Sequence, residues 1–332
     1  MRFFLRRILF GSTALALLTT PVLAQTATAI EKPAADVQES VFPPWQHGAN
    51  NDAIDRGLGF TVPEVDNLAD LHGDLDAPKL ALYVGGNYFF AMAPLVKAFE
   101  VEHAEYKGHV YWETLPPGLL AKQIETGGRI TVGNMTWTVK PDAYLAGLKK
   151  VNGLIDQGVL VGPATLYATN DLTIMVPKDN PAHVKSLSDL GKPGIRLAMP
   201  NPEFEGIARQ IKNALTKTGG DALEQMVYDT KVKDGTATLT RIHHRQTPLF
   251  IMQGRVDAGV TWQSEAEFEE QVGHPISHIA IPAADNAMAI YAGAEVKGAP
   301  HPDAAKAWLD FIHSPEALKI FERYGFKPCT AS

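Results

Sequence analysis

Two successive histidines, His243-His244, lead into Arg245, and Glu113, Glu203 and Glu205 supply carboxylates that a fold can bring near them. This set offers two chemistries. Imidazole nitrogens donate to an anion or coordinate a metal, whereas carboxylates repel an oxyanion and attract a metal or an amine. Adjacent histidines on an extended segment point to opposite sides, so both reach one metal only if the chain turns there. A metal on Glu205, His243 and His244 and an anion held by His244 and Arg245 are both compatible with the residue types. A pH titration separates them: an anion on imidazolium binds better as pH falls, and a metal on neutral imidazole is lost.

A second set of residues is small and polar. Gly86-Asn87-Tyr88, Pro117-Gly118, Asn134 with Thr136-Trp137, Asn201 to Gly206, and residues 242–246 each follow a stretch that reads as a strand. In open α/β sheets ligands collect beyond the carboxyl ends of the strands, where loops enter helix N-termini. Those termini carry N–H groups without intrahelical partners and a partial positive charge, so several facing one cleft bind an anion without Lys or Arg. Gly86, Gly118 and Gly206 permit close backbone approach. Tyr88, Phe89, Trp137, Phe204 and Trp262 fall at strand ends or the following turns, where they wall a pocket or fill the core.

The elements that must position these residues alternate. Leu80 to Val84 reads as a buried strand, followed by a turn and a helix through Leu95, Val96 and Phe99. His109 to Trp112 is the next strand, a helix opens at Pro116-Pro117-Gly118, and Ile130-Thr131-Val132 is a third strand. Asp171 to Pro177 begins a second series with Ile195 to Met199, a helix from Glu205 to Thr216, and Asp257 to Trp262. Such alternation predicts an α/β fold with two lobes, each a mostly parallel sheet flanked by helices, and the ligand cleft between them. The expected organisation is a signal peptide over 1–24, an irregular arm over 25–77, lobe 1 from 78–170 plus 285–332, and lobe 2 over 171–284. The hinge crossings fall near Asn170 to Leu172 and Ala284 to Ile290.

The chain resembles type II periplasmic binding proteins, and within these the molybdate-binding family, over about residues 79–328. Lys122-Gln123-Ile124-Glu125, the run Ala168 to Pro181, Arg245-Gln246, Gly254 to Gly259, and His301 to Phe326 carry the resemblance. It implies an oxyanion held by serine hydroxyls, backbone N–H groups and a tyrosine. Here Gly86-Asn87-Tyr88 stands where that family shows consecutive serines, Pro116-Pro117-Gly118 where a Ser-containing turn is expected, Phe204-Glu205-Gly206 in place of a Pro-Ala-Gly turn, and Trp262 in place of the tyrosine. With Asn170 at the crossover, the expected ligand-facing set is thus Gly86, Asn87, Tyr88, Glu113, Pro117, Gly118, Asn134, Thr136, Trp137, Asn170, Asn201, Glu203, Glu205, His244, Arg245 and Trp262.

The ends of the chain name a compartment. Arg2, Arg6 and Arg7 flank an apolar run that is shorter than the roughly 20 residues needed to span a bilayer, and Val22-Leu23-Ala24 offers small residues for cleavage after Ala24. Cleavage leaves 308 of the 332 residues, and with the three arginines gone 27 Lys and Arg face 37 Asp and Glu. That acidic surface argues against nucleic-acid binding. Cys329 is the only cysteine, so an intramolecular disulfide is excluded.

The sequence contains no Gly-x-Ser-x-Gly elbow, phosphate loop or His-Glu-x-x-His, and the expected protein is no enzyme. It is a monomeric periplasmic receptor without cofactor that captures a small solute, best an oxyanion of the molybdate or tungstate type. The resemblance implies an inner-membrane ABC permease as partner. Binding or delivery of a metal ion, metal chelate or organic solute is the alternative, and a bilobal enzyme is a third.

Overall fold

The computed structural model describes residues 70–329 except 133, 134, 204, 241 and 242. The expected signal segment and residues 25–69 of the expected arm lie outside the described residues. Among those described, no helix is long and apolar enough to cross a membrane.

The first half of the fold follows the apolar runs. Strands β1 (Asp70–Gly73), β2 (Leu80–Gly85), β3 (Val110–Leu115) and β6 (Ala143–Gly147) alternate with helices α1 (Phe89–Glu102), α2 (Pro117–Glu125) and α3 (Leu148–Asp156), with a hairpin of β4 (Arg129–Val132) and β5 (Met135–Thr138) between α2 and β6. The long β7 (Leu160–Asn170) then passes into β8 (Leu172–Pro177). The second half adds β9 (Leu197–Met199), α4 (Gly206–Gln225), α5 (Lys231–Lys233), β10 (Ala237–Leu239), α6 (Gln246–Met252), β11 (Ala258–Trp262), α7 (Gln263–Gln271) and β12 (Ile276–Ala280). The chain returns through β13 (Ala289–Val296) and ends with α8 (Pro302–Ile312), α9 (Pro315–Glu322) and β14 (Lys327–Pro328).

One sheet has the order β1-β3-β2-β6-β13-β7-β14 and the other β10-β9-β11-β8-β12, so the chain changes sheet between Asn170 and Leu172 and again between Ala280 and Ala289. Each sheet holds three parallel strands, β3-β2-β6 and β10-β9-β11, and the remaining pairings are antiparallel. The sheets are therefore mixed, which corrects the expectation of mostly parallel ones. Among the antiparallel strands are β7, β8 and β13, on which the chain crosses between the two halves, and a crossing strand enters its second sheet without a helical connection.

Burial explains the central strands. All six residues of β2 are buried, as a parallel strand covered on both faces requires. Helices α8 and α9 begin with Pro302 and Pro315 at positions where a missing N–H costs nothing, and Ser314 caps α9 by accepting from the Ala317 N–H at 3.2 Å. Trp308 of α8 is wholly buried, its ring 5.2 Å from that of Phe99 in a T-shaped pair.

Three local expectations change. Residues 70–73, assigned to an irregular arm, form an edge strand antiparallel to β3. Ile130 to Val132 is not a third strand of the lobe sheet, because it pairs only with β5 in a separate two-stranded hairpin. The sheet position falls instead to Ala143–Gly147, an apolar run that the sequence reading passed over.

The hairpin and β3 enclose a buried carboxyl. Glu113 is fully buried; its Oε2 accepts from the Tyr111 hydroxyl at 2.5 Å and from Gln123 Nε2 at 3.4 Å, while Trp137 Nε1 donates to the Tyr111 oxygen at 3.2 Å. Burial outweighs these hydrogen bonds and pushes its pKa up to about 7. Glu113 Oε1 and Gln123 Oε1 have no partner among the described residues, and a proton on Glu113 supplies a donor that this pair of acceptors lacks. Because the folded pKa is raised above 4.5, this group's contribution to stability is full below pH 4.5 and lost as pH rises through about 7. Glu113→Gln keeps a donor at every pH. It is expected to raise stability above pH 7 by about 1–3 kcal/mol and to flatten that pH dependence, as urea unfolding at pH 5 and pH 8 would register; equal stability of both proteins at pH 8 would refute a strained carboxylate.

Candidate functional site

Helices α4, α6 and α7 of the second lobe start close together, tied by a buried charge relay. Glu205, the residue before α4, accepts through Oε1 from the Asn201 N–H at 3.0 Å and from the Thr240 hydroxyl, and its Oε2 lies 2.8 Å from His244 Nδ1. On the other side His244 Nε2 is 2.9 Å from Glu265 Oε1, an ion-pair contact without hydrogen-bond directionality. Glu265, in the first turn of α7, accepts through Oε2 from the Thr261 hydroxyl and the Trp262 N–H. Burial opposes a charge on His244, but the Glu265 and Glu205 carboxylates outweigh it and hold the pKa up to about 9. His244 is an imidazolium at neutral pH.

His243 is its opposite. Its ring lies over that of His244 with centroids 3.8 Å apart, and its Nδ1 accepts from the Arg245 N–H at 3.3 Å, which assigns the ring proton to Nε2. Burial, with the adjacent charges of His244 and Arg245, holds its pKa well below the usual value, so the ring is neutral. Arg245 reaches across to the first lobe, with its guanidinium 4.2 Å from the centre of the Phe89 ring and Nη2 donating to Thr114 Oγ1 at 3.2 Å. Between them sits Gly86. A β-carbon there would lie 2.9 Å from His243 Nε2 and 3.1 Å from Arg245 Nη2, so only glycine lets the two lobes meet at this point.

A cavity of about 940 Å³ opens from this contact. Its walls include Gly86, Asn87, Pro117 and Gly118 from the first lobe, Glu205, Gly206, His243, His244 and Trp262 from the second, and Met288 to Tyr291 from the crossing strand. Helices α2 and α4 begin at this wall, which leaves their first N–H groups without intrahelical acceptors. Behind it the Glu205 and Glu265 carboxylates flank the His244 imidazolium, which offsets part of their charge. An anion therefore meets less repulsion than two unpaired glutamates would exert.

Eight of the expected residues meet at this cavity: Gly86, Asn87, Pro117, Gly118, Glu205, His243, His244 and Trp262. Others lie elsewhere, for physical reasons. Tyr88 is wholly buried, with its hydroxyl 2.6 Å from that of Tyr167, and Glu113 faces the core on the Tyr111 side of β3. Thr136 and Trp137 belong to β5 of the β4–β5 hairpin and are not part of the cavity wall; Asn134 lies outside the described residues. Asn170 is buried and donates to Ser264 Oγ at 2.7 Å, fastening β7 to the start of α7. Asn201 shapes the loop before α4, its Oδ1 accepting from the N–H of the exposed Glu203. Arg245 sits behind the wall beside Gly86.

Glu205, His243 and His244 do come together, with one donor atom of each within 4.8 Å of the others. Yet both nitrogens of His244 already contact carboxylates, and the assigned proton on His243 Nε2 makes that atom a donor. The expectation of an imidazolium that strengthens anion binding as pH falls changes as well, since His244 stays charged and His243 neutral through the neutral range.

Sequence reasoning missed Glu265, Tyr291, Lys149, Lys150 and Arg209, of which all but Glu265 line the cavity. A signal existed for the lysines. They stand in the first turn of α3, where the helix dipole disfavours a cation, and a local rule broken in this way marks a functional position.

Two sheets joined by crossing strands, with a cavity lined from both halves, define a two-lobed solute-binding protein. A family profile described as Bacterial extracellular solute-binding protein matches residues 80–327, and the chain belongs to that family. It is 28% identical over 216 residues to the putative ABC transporter substrate-binding lipoprotein YvgL of Bacillus subtilis, covering 63% of this chain and 72% of that protein. It is 26% identical over 167 residues to the sulfate-binding protein of Synechococcus elongatus, covering 48% of this chain and only 47% of that protein, about half its length. Among solved structures, the periplasmic molybdate-binding protein of Azotobacter vinelandii superposes with a TM-score of 0.59 at 18% identity, covering 74% of this chain and 98% of that one. These relatives are solute-binding proteins and not enzymes.

Proposed function

We propose that this protein is the periplasmic substrate-binding component of an ABC-type importer, and that it captures an anionic solute between its lobes for delivery to a membrane permease. The observation that carries this reading is the pair of uncommitted N–H donors at the cavity. His243 Nε2 and Trp262 Nε1 have no acceptor among the described residues, and both residues line the cavity, although they are only 5% exposed. Buried donors without acceptors are costly, so a ligand rich in acceptors fits them. The N-termini of α2 and α4 favour negative charge in the same place. The similarity to sulfate-binding and molybdate-binding proteins supports an anion, and the tetrahedral oxyanion is the simplest member of that class.

Capture is enclosure without covalent change, with the lobes moving about the crossings at Asn170 to Leu172 and between Ala280 and Ala289. Thermal shift and calorimetric titration of the mature protein against molybdate, tungstate, sulfate, phosphate and small carboxylates test the reading. Binding of at least one anion is expected, with neutral sugars and free divalent cations giving no shift. A chain stabilised by zinc alone would instead place a metal on Glu205, His243 and His244.

A further inference from the structure

We infer that the ligand is a small organic dianion, two acidic groups joined by a short carbon skeleton, with Lys149, Lys150 and Arg209 forming a second anion subsite opposite the His243 and Trp262 donors. The inference rests on the anion-receptor reading above and narrows it. Three observations carry it. The cavity, about 940 Å³, lies at the upper end of the 300–1,000 Å³ or so typical of sites for organic molecules, so a bare tetrahedral ion would fill little of it.

Lys149, Lys150 and Arg209 all line that cavity, and none has an ion-pair or hydrogen-bond partner among the described residues, whereas Arg196, Lys212, Lys306 and Lys327 are paired. Asp156 is the one carboxylate beside them in the lining apart from Glu205, which is paired with the His244 imidazolium. The three cations also occupy the wrong ends of their helices. Lys149 and Lys150 stand in the first turn of α3 and Arg209 at the close of the first turn of α4, neither of which holds an acidic residue. Repulsion between these side chains and the helix dipoles is relieved when an anion lies between them. The wall of the same cavity includes Leu148, Ile207, Met288 and Ile290, which suit a hydrocarbon segment and offer nothing to a bare ion.

Calorimetric titration of the full mature chain tests this with five probes: molybdate, sulfate, butyrate, succinate and phosphoglycolate. Either succinate or phosphoglycolate is expected to bind at least tenfold more tightly than both oxyanions and butyrate, and the two distinguish a dicarboxylate from a phosphate ester as the natural chemistry. Arg209→Gln and Lys149→Gln, at exposed positions where folding is indifferent to the change, are each expected to weaken that dianion about tenfold and to leave butyrate unaffected. Molybdate or sulfate binding as tightly as the dianions, or dianion affinity unchanged in both variants, would overturn the inference while leaving the anion receptor standing. Binding of none of the five would overturn the inference, and binding of none of the wider anion panel either would overturn the receptor reading with it.

Discussion

Replacing His244 with alanine is expected to lower the unfolding free energy by about 3–5 kcal/mol, the usual cost of removing one member of a buried ionic group. Among the described residues the imidazolium is the partner of Glu205 Oε2, at 2.8 Å, and it stands 2.9 Å from Glu265 Oε1. Without it two carboxylates remain buried near one another, at the starts of α4 and α7. The same residue sets a pH dependence whose sign follows from its raised pKa. Its stabilisation is full below the ordinary value of 6.5 and is lost as pH rises through about 9. Chemical denaturation at pH 6, 8 and 9.5 reads both effects: the native chain loses stability across that window and the variant lacks this component. His244→Ala with Glu205→Gln and Glu265→Gln together should recover much of the loss, because the neutral amides require no counter-charge. A variant as stable as the native chain would show that the relay is not charged.

His243→Phe is expected to lower stability by about 1–3 kcal/mol, because the Arg245 N–H loses its acceptor, and to weaken anion binding by the folded protein about 10- to 100-fold, since a hydrogen bond to a charged group contributes about 1.5–3 kcal/mol. Phenylalanine keeps the ring over His244 but has no N–H to offer at the Gly86 face. Calorimetry with the tightest-binding anion of the panel measures the loss, and unchanged affinity would remove His243 from the ligand contacts. Because His243 is neutral and His244 remains charged, the affinity of the native protein is expected to vary little between pH 6.5 and 8 on their account. A steep rise in affinity toward acid would restore the imidazolium contact that the sequence suggested.

The sequence by itself determined the strands and helices whose apolar period is unbroken. The fully buried Leu80 to Val84 and the helix through Leu95, Val96 and Phe99 are examples, as is the resemblance that runs to Phe326. It also placed Gly86, Gly118, Glu205 and Trp262 at strand-to-helix junctions, because the carboxyl ends of strands are where such loops must fall. Local pattern could not tell Ile130 to Val132 in a hairpin from Ala143 to Gly147 in the sheet, since both are short apolar runs and only pairing partners distinguish them.

The side on which a residue faces was likewise a tertiary matter. Glu113 alternates with Val110 and Trp112 toward the face opposite theirs, so one step along β3 sends its carboxyl into the core. Most of all, the states of the two histidines were decided in three dimensions. Identical neighbours in sequence, they differ because Glu205, 39 residues away from His244, and Glu265 converge on one ring, while Arg245 turns its backbone N–H to the other. Charge at short range in a buried site outweighs residue type, and only the folded chain sets those distances.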